Sequence, residues 1–456
     1  MDKLKEECGV FGIYSKEEGA ANLIYYGLNA LQHRGQESAG IVVCDTKGPL
    51  GNIYTHKGMG LVNEIFHKEV LSSLKGNIGI GHVRYSTTGE SSLNNAQPIF
   101  LNYLKGTLAL AHNGNIMNAD DLRKELIEQG ASFSGTTDSE VIAYKIALER
   151  KNECDSIEEA IIEVTKELKG GYALLVLSPQ KLIGVRDPWG LKPLCLGKKG
   201  DTYILSSESA AIDAIGGEFV RDIEPGEMVI ITKKGVRFQM YAKKEKRAHC
   251  IFEYIYFAKL DSIMDGIPIY DARIRGGKAL AKRYPVDADV VTGVPESGIT
   301  AAVGYAQESG IPFNLAFSKN SYVGRTFIKP SQQERMSAVQ LKLNVLSSVV
   351  KDKRVVLIDD SIVRGTTIRN LIGMMRNAGA KEVHVRISSP PFLYPCYYGT
   401  DVPDNSELIA GHLSKEEICQ TIGADSLEYM HIEDLKEMTQ DLELCQACFD
   451  KKYPVE

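Results

Sequence analysis

The chain has 456 residues, 43% hydrophobic and 25% charged, which fits a folded protein of two or three domains. A net charge of −6 gives no bulk reason to bind nucleic acid, and no apolar run reaches the roughly 18 residues of a membrane helix. The start, MDKLKEECGVFG, lacks the apolar core of a secretory signal, and nine cysteines in so long a chain do not suggest a disulfide framework, so a reducing cytoplasm is expected.

Up to about Tyr241, short apolar runs bounded by glycine predict strands: ECGVFGIY, SAGIVVC, GNIGIGHVRYST, GTLALAHNG, GYALLVLS, KLIGVRD and TYILSSE. Helix-like segments lie near 119–129, 138–148 and 156–168. Strands and helices in separate layers predict an α+β sandwich for residues 8–241. The charged run KKEKR (243–247) marks a boundary. From 242 to 456 the pattern alternates: DADVVTGV before ITAAVGYAQESG, KRVVLI before TIRNLIGMMRNAG, then EVHVRIS. That alternation predicts an α/β domain with a parallel sheet. The last 45 residues read as a helical, polar tail, and no internal repeat is visible.

Residues 353–367, KRVVLIDDSIVRGTT, carry the most chemistry. A buried strand ends in Asp359 and Asp360, and a loop with Ser361, Arg364, Gly365, Thr366 and Thr367 leads into a helix. Open α/β sheets bind ligands at such strand ends. The acids suit sugar hydroxyls, and the amides and hydroxyls of Gly365, Thr366 and Thr367 suit a phosphate. A ribose 5-phosphate has both. The spacing is unlike the lysine-bearing P-loop, which disfavours a nucleoside triphosphate. A second strand–loop–helix unit, VVTGVPESGITAA (290–302), offers Ser297 and loop amides to a second anion. The long polar stretch 319–335 holds Lys319, Arg325, Lys329 and Arg335, cations suited to closing over a diphosphate; a mobile surface loop is the plainer alternative.

The strand, acid pair and Gly-Thr-Thr resemble the fingerprint of type I phosphoribosyltransferases. That resemblance implies 5-phosphoribosyl 1-pyrophosphate (PRPP) as ligand, with a Mg²⁺ near Asp359 and Asp360.

The first half has its own set. Cys8 lies in EECGVFGIY, Arg84 in HVRYSTTG, Asn113 and Gly114 in AHNGNI, and Asp138 in GTTDSE. With QHRGQES (32–38) and RDPWGLKP (186–193), they resemble the N-terminal-nucleophile glutamine amidotransferase domain, an αββα sandwich. The residue types fit glutamine. Arg84 suits its α-carboxylate and Asp138 its α-ammonium. Asn113 and Gly114 suit the oxyanion formed when Cys8 attacks the side-chain amide. The ordinary alternatives are a surface charge for Arg84, a hairpin turn at Asn113–Gly114 and a helix cap for Asp138. Cys8 needs a base, and a free α-amine would serve. The expectation is that residues 1–7 are a propeptide whose removal exposes Cys8.

The C-terminal pair Cys445 and Cys448 forms LCQAC, and Cys250, Cys396 and Cys419 are candidate further ligands. Over nearly its whole length the chain resembles the iron–sulfur branch of the glutamine phosphoribosylpyrophosphate amidotransferases. That resemblance implies a [4Fe–4S] cluster on Cys250, Cys396, Cys445 and Cys448, with structural Zn²⁺ as the alternative. It also implies ammonia passing from glutamine to PRPP, the first step of purine synthesis, a homotetramer, and feedback inhibition by purine nucleotides. The aromatic run 252–257 is a candidate lining for the ammonia path or, equally, a core segment.

Overall fold

In the computed structural model, residues 8–46, 52–85, 90–152, 154–243, 246–320, 343–400, 402 and 406–455 are described. Residues 9–240 build two antiparallel sheets. The first has seven strands in the order Glu218–Asp222, Cys195–Lys199, Thr202–Ser206, Gly9–Tyr14, Ile78–Arg84, Ser38–Asp45 and Asn52–Met59. The second has six: Gly235–Met240, Glu227–Thr232, Lys181–Arg186, Gly170–Ser178, Gly106–Ile116 and Ile99–Tyr103. Successive residues of a strand face opposite ways. Val10 and Tyr14 therefore meet Ala111, Leu175 and Val229 between the sheets, while Phe11 and Ile13 meet Ile24 and Leu28 of the helix Ala20–Ala30. The helices Asp138–Asn152 and Ile157–Glu167 cover the second sheet through Ile142, Ile146, Ile161 and Val164. This is the expected αββα sandwich. Both faces of the central strands, such as Gly9–Tyr14, Ile78–Arg84 and Gly170–Ser178, are covered, so these read as continuous apolar runs.

The second half has a parallel sheet in the order Val290–Gly293, Arg354–Asp359, Glu382–Ile387 and Ser426–Tyr429. The helices Ile269–Arg283 and Ser297–Ser309 pack almost backbone to backbone. A Cβ on Gly277 would run into the Ala301 carbonyl, and one on Gly304 into that of Ile274. The tail departs from expectation. It is not simply helical, because Ser426–Tyr429 joins the main sheet and Leu444–Cys445 pairs with His249–Cys250. Both strands are too short to show a period, so the sequence read them as polar helix.

Buried charge joins the halves. Arg34 donates from Nε to Glu208, and from Nη1 (3.1 Å) and Nη2 (2.5 Å) to Glu253. Glu208 also accepts from the Lys259 amide at 2.8 Å and the Ser262 hydroxyl at 2.7 Å. Farther along, Arg186 grips Asp265 with two nitrogens, at 2.7 and 3.0 Å. The segment Glu253–Phe257 is a π-helix whose Phe252 neighbour meets Phe257 and Phe392 edge to face, an aromatic core at the junction.

Candidate active sites

Cys8 opens the Gly9–Tyr14 strand, whose neighbour Ile78–Arg84 ends beside it: Gly9 pairs with Val83. The Cys8 thiol donates to the Tyr85 carbonyl at 3.4 Å. Burial pushes it up to about 11, and the charges of Arg84, Asp138 and Glu37 all reach it. The thiol is therefore neutral near pH 7 and needs a base. Arg84 is buried, with Nη1 donating to Glu37 at 2.6 Å and to the Glu90 carbonyl at 3.3 Å.

Asn113 and Gly114 lie inside the Gly106–Ile116 strand, not in a hairpin turn. Asn113 is fully buried, and neither Nδ2 nor Oδ1 has a partner among the described residues. A buried unpaired amide costs roughly 1–3 kcal/mol. Such a group is completed by a water or a ligand. Asp138 begins the helix Asp138–Asn152 and accepts the Ile116 N–H at 3.0 Å. Burial raises its carboxyl, but the His112 ring 3.7 Å away and the amides of Ile116 and Ser139 outweigh it, so it sits below the usual range and stays ionised. The sequence reading did not single out His82 and His112. His82 is pushed down to about 3 by burial and is neutral. His112 hydrogen-bonds Ser139 at 3.1 Å, beside Asp138; its position next to Asn113 was the available signal.

The second site lies at the carboxyl end of the parallel sheet. Asp359 ends its strand, and both acids are buried. Asp360 accepts the Ser361 hydroxyl at 2.5 Å and the Ser297 hydroxyl on its other oxygen. Ser297 is thus turned toward the acid pair at the start of its own helix. Gly365 adopts φ 81°, a left-handed turn that favours glycine, and leads into the helix Thr366–Asn377, whose first turn holds Thr366 and Thr367. N–H groups at such a helix start suit a phosphate. Arg364 instead pairs on the surface with Glu407. Lys319 pairs with Glu296 at 2.6 Å and ends a strand opposite Leu343. Arg325, Lys329 and Arg335 lie outside the described residues, as do residues 1–7. Arg273, missed by sequence reading, donates to the carbonyls of Tyr254, Tyr256 and Ala258, and its charge interacts with Asp360.

Cys250, Cys396, Cys445 and Cys448 line one cavity with Phe392 and the buried Lys192 of RDPWGLKP. Cys250 stands opposite Cys445 in the two-strand pairing. Burial pushes Cys448 well up, and charge on Cys396, Cys445 or Cys250 would raise it further. Among the described residues, no three His, Cys, Asp or Glu side chains meet as a single metal ion requires. Cys419 lies elsewhere, donating to the Ala424 carbonyl. Cys44, Cys154 and Cys195 are buried core residues.

A glutamine amidotransferase joined to a phosphoribosyltransferase is the class these two halves define. Residues 82–214 match the glutamine amidotransferase domain family and residues 269–388 the phosphoribosyl transferase domain family. The chain is 50% identical to the amidophosphoribosyltransferase of Methanocaldococcus jannaschii, over 98% of each chain. It is 47% identical to that of Bacillus subtilis, over 99% of this chain and 95% of that one. A solved structure of glutamine PRPP amidotransferase from B. subtilis, complexed with ADP and GMP, superposes with a TM-score of 0.91 at 46% identity, covering 98% of both chains. The chain belongs to the amidophosphoribosyltransferase family. Its reaction takes nitrogen from glutamine to PRPP, giving 5-phosphoribosylamine, glutamate and pyrophosphate, the first step of purine biosynthesis.

Proposed function

We propose that Cys8 is the glutaminase nucleophile. Its thiol attacks the glutamine side-chain amide, ammonia leaves, and water hydrolyses the γ-glutamyl thioester to glutamate. Arg84 binds the α-carboxylate and Asp138 the α-ammonium. The Asn113 amide and the Gly114 N–H hold the oxyanion. The observation that carries this reading is the buried Asn113 amide, without a partner among the described residues, on the strand that leads to Asp138's backbone partner, Ile116. The neutral Cys8 thiol supports removal of Met1–Glu7, because the freed α-amine of Cys8 can then take the proton.

At the second site Asp359 and Asp360 orient the ribose hydroxyls of PRPP, and Gly365, Thr366 and Thr367 hold the 5-phosphate. Ser297 and Ser361 already place two hydroxyls on Asp360, as a sugar diol would. Ser297, Lys319, Arg325 and Lys329 are assigned to the pyrophosphate side, and Arg364 to PRPP binding in the ribose-phosphate loop. The oxygen donors here suit Mg²⁺, held largely by substrate phosphates; when bound it offsets charge on the departing pyrophosphate. Ammonia attacks the anomeric carbon, and the acids bind without acting as bases.

Cys250, Cys396, Cys445 and Cys448 are assigned to a [4Fe–4S] cluster that ties the tail to the junction. The four cysteines around one cavity would supply the thiolate ligands such a cluster takes, and structural Zn²⁺ is the alternative. The ADP and GMP of the B. subtilis complex support purine nucleotides as inhibitors. Assembly is assigned as a homotetramer and location as cytoplasmic. The test is Cys8→Ala. It should lose glutamine-dependent turnover and keep pyrophosphate release with supplied ammonia; loss of both refutes the division of labour. Intact mass reads the propeptide, and iron and sulfide analysis of anaerobically purified protein separates cluster from zinc.

A further inference from the structure

The strand that carries Asn113 and Gly114 makes contacts outside its own domain. The Asn115 side-chain amide donates to the Tyr397 carbonyl at 2.8 Å, across 282 positions of sequence. Two residues on, Gly399 is buried with φ 110° against the same strand. A Cβ there would lie 3.0 Å from the Gly114 carbonyl carbon, 3.2 Å from Gly114 Cα and 3.3 Å from the Asn115 nitrogen. Gly114 is itself at φ 137°, and its other side is closed by Gly171 and Tyr172 of the neighbouring strand. The peptide after Asn113 is thus held on one side by its own sheet and on the other by the phosphoribosyl half.

We propose that Asn115 and Gly399 are positioning residues for the glutaminase, a clamp by which the 397–399 segment of the second domain fixes the oxyanion-binding strand of the first. This rests on the oxyanion role given to Asn113 and Gly114. The clamp touches neither glutamine nor Cys8. It acts on the placement of two donors, which matters in the transition state and little in the ground state. Neither residue type is chemically distinctive, so the sequence motifs alone do not reveal the contact. Gly399 must be glycine on two counts, the left-handed backbone and the absence of room.

The test uses the full chain with Asn115→Ala, Gly399→Ala and, as reference, Asn113→Ala. Deleting one oxyanion donor costs roughly 10²–10³ in kcat, and displacing a donor should cost about tenfold or more. Both clamp variants should therefore lose glutamine-dependent kcat with the glutamine KM within about twofold. Ammonia-dependent pyrophosphate release and the rate of Cys8 alkylation by iodoacetamide should stay unchanged in both variants, and the unfolding midpoint should stay unchanged in Asn115→Ala, whereas Gly399→Ala should lower it through backbone strain. Asn115→Ala keeps the test open if Gly399→Ala does not fold. Unchanged glutamine kcat in Asn115→Ala beside an impaired Asn113→Ala overturns the clamp. So does parallel loss of ammonia-dependent activity, which would mean general damage. An unimpaired Asn113→Ala overturns the oxyanion role itself, and the clamp with it.

Discussion

Arg34→Met should destabilise the junction by about 3–5 kcal/mol at pH 7, the cost of leaving buried carboxylates without their cation. The side chains of Arg34 and Glu208 are 0% exposed and that of Glu253 is 2%. Water cannot replace the guanidinium. Burial would raise Glu208, yet Arg34, then His33 and Ser262, outweigh it and hold the carboxyl well below its ordinary value. A depressed carboxyl binds fewer protons folded than unfolded. Its contribution is therefore present above about pH 4.3, the unfolded value, and is lost as pH falls through the folded one. In the variant the carboxyls can protonate instead, so the deficit should shrink on acidification from pH 7 toward 5. The single tryptophan, Trp189, is a suitable reporter: its carbonyl accepts the Ala248 N–H at 2.7 Å, across the junction. Urea unfolding followed by Trp189 fluorescence measures the loss. A deficit under about 1 kcal/mol, or one that does not shrink with acid, would show that the ion pairs are not desolvated as described.

Asn113→Ala should lower glutamine-dependent kcat roughly 10²–10³-fold, read by glutamate release. The same variant should unfold at equal or higher urea, because an unpaired buried amide is removed; a large loss of stability would mean that the amide has a structural partner. Gly277→Ala should cost about 1–3 kcal/mol or more, since the Ala301 carbonyl occupies the space a methyl would need. Thermal unfolding checks this, and an unchanged midpoint would mean that the two helices slide apart freely.

The motifs of the two domain families were legible because the chemistry expected of them demands particular residue types. The acid pair before Gly365-Thr366-Thr367 sits at a sheet's carboxyl end as its strand–loop–helix pattern required. The helices Asp138–Asn152 and Ile157–Glu167 followed from their patterns, the second with a Ser156–Glu159 capping box. The helix Ala20–Ala30 was not read, because AANLIYYGLNA mixes glycine, asparagine and aromatics that are weak helix formers. Tertiary burial on Phe11 stabilises it instead. The junction was the least legible part. Arg34, Glu208 and Glu253 are far apart in sequence, and nothing local marks a charge as buried. Arg273 and Gly399 were hidden for the same reason: their meaning lies wholly in long-range contacts.

The pairing of Leu444–Cys445 with His249–Cys250 imposes an order on biosynthesis. Arg247, whose amide meets the Glu443 carboxylate, must wait for a partner 196 positions later. At about 5–20 residues per second, that wait on the ribosome lasts about 10–40 s. The glutaminase sandwich, complete by Met240, can fold meanwhile, but Ile251 and Phe252 stay without the tail that covers them. The four-cysteine cavity cannot exist before residue 448 has left the exit tunnel. Any metal that fills it therefore enters after residues 250 to 448 have all been made, and a chain stalled or clipped before Leu444 would expose an apolar junction to aggregation and proteolysis.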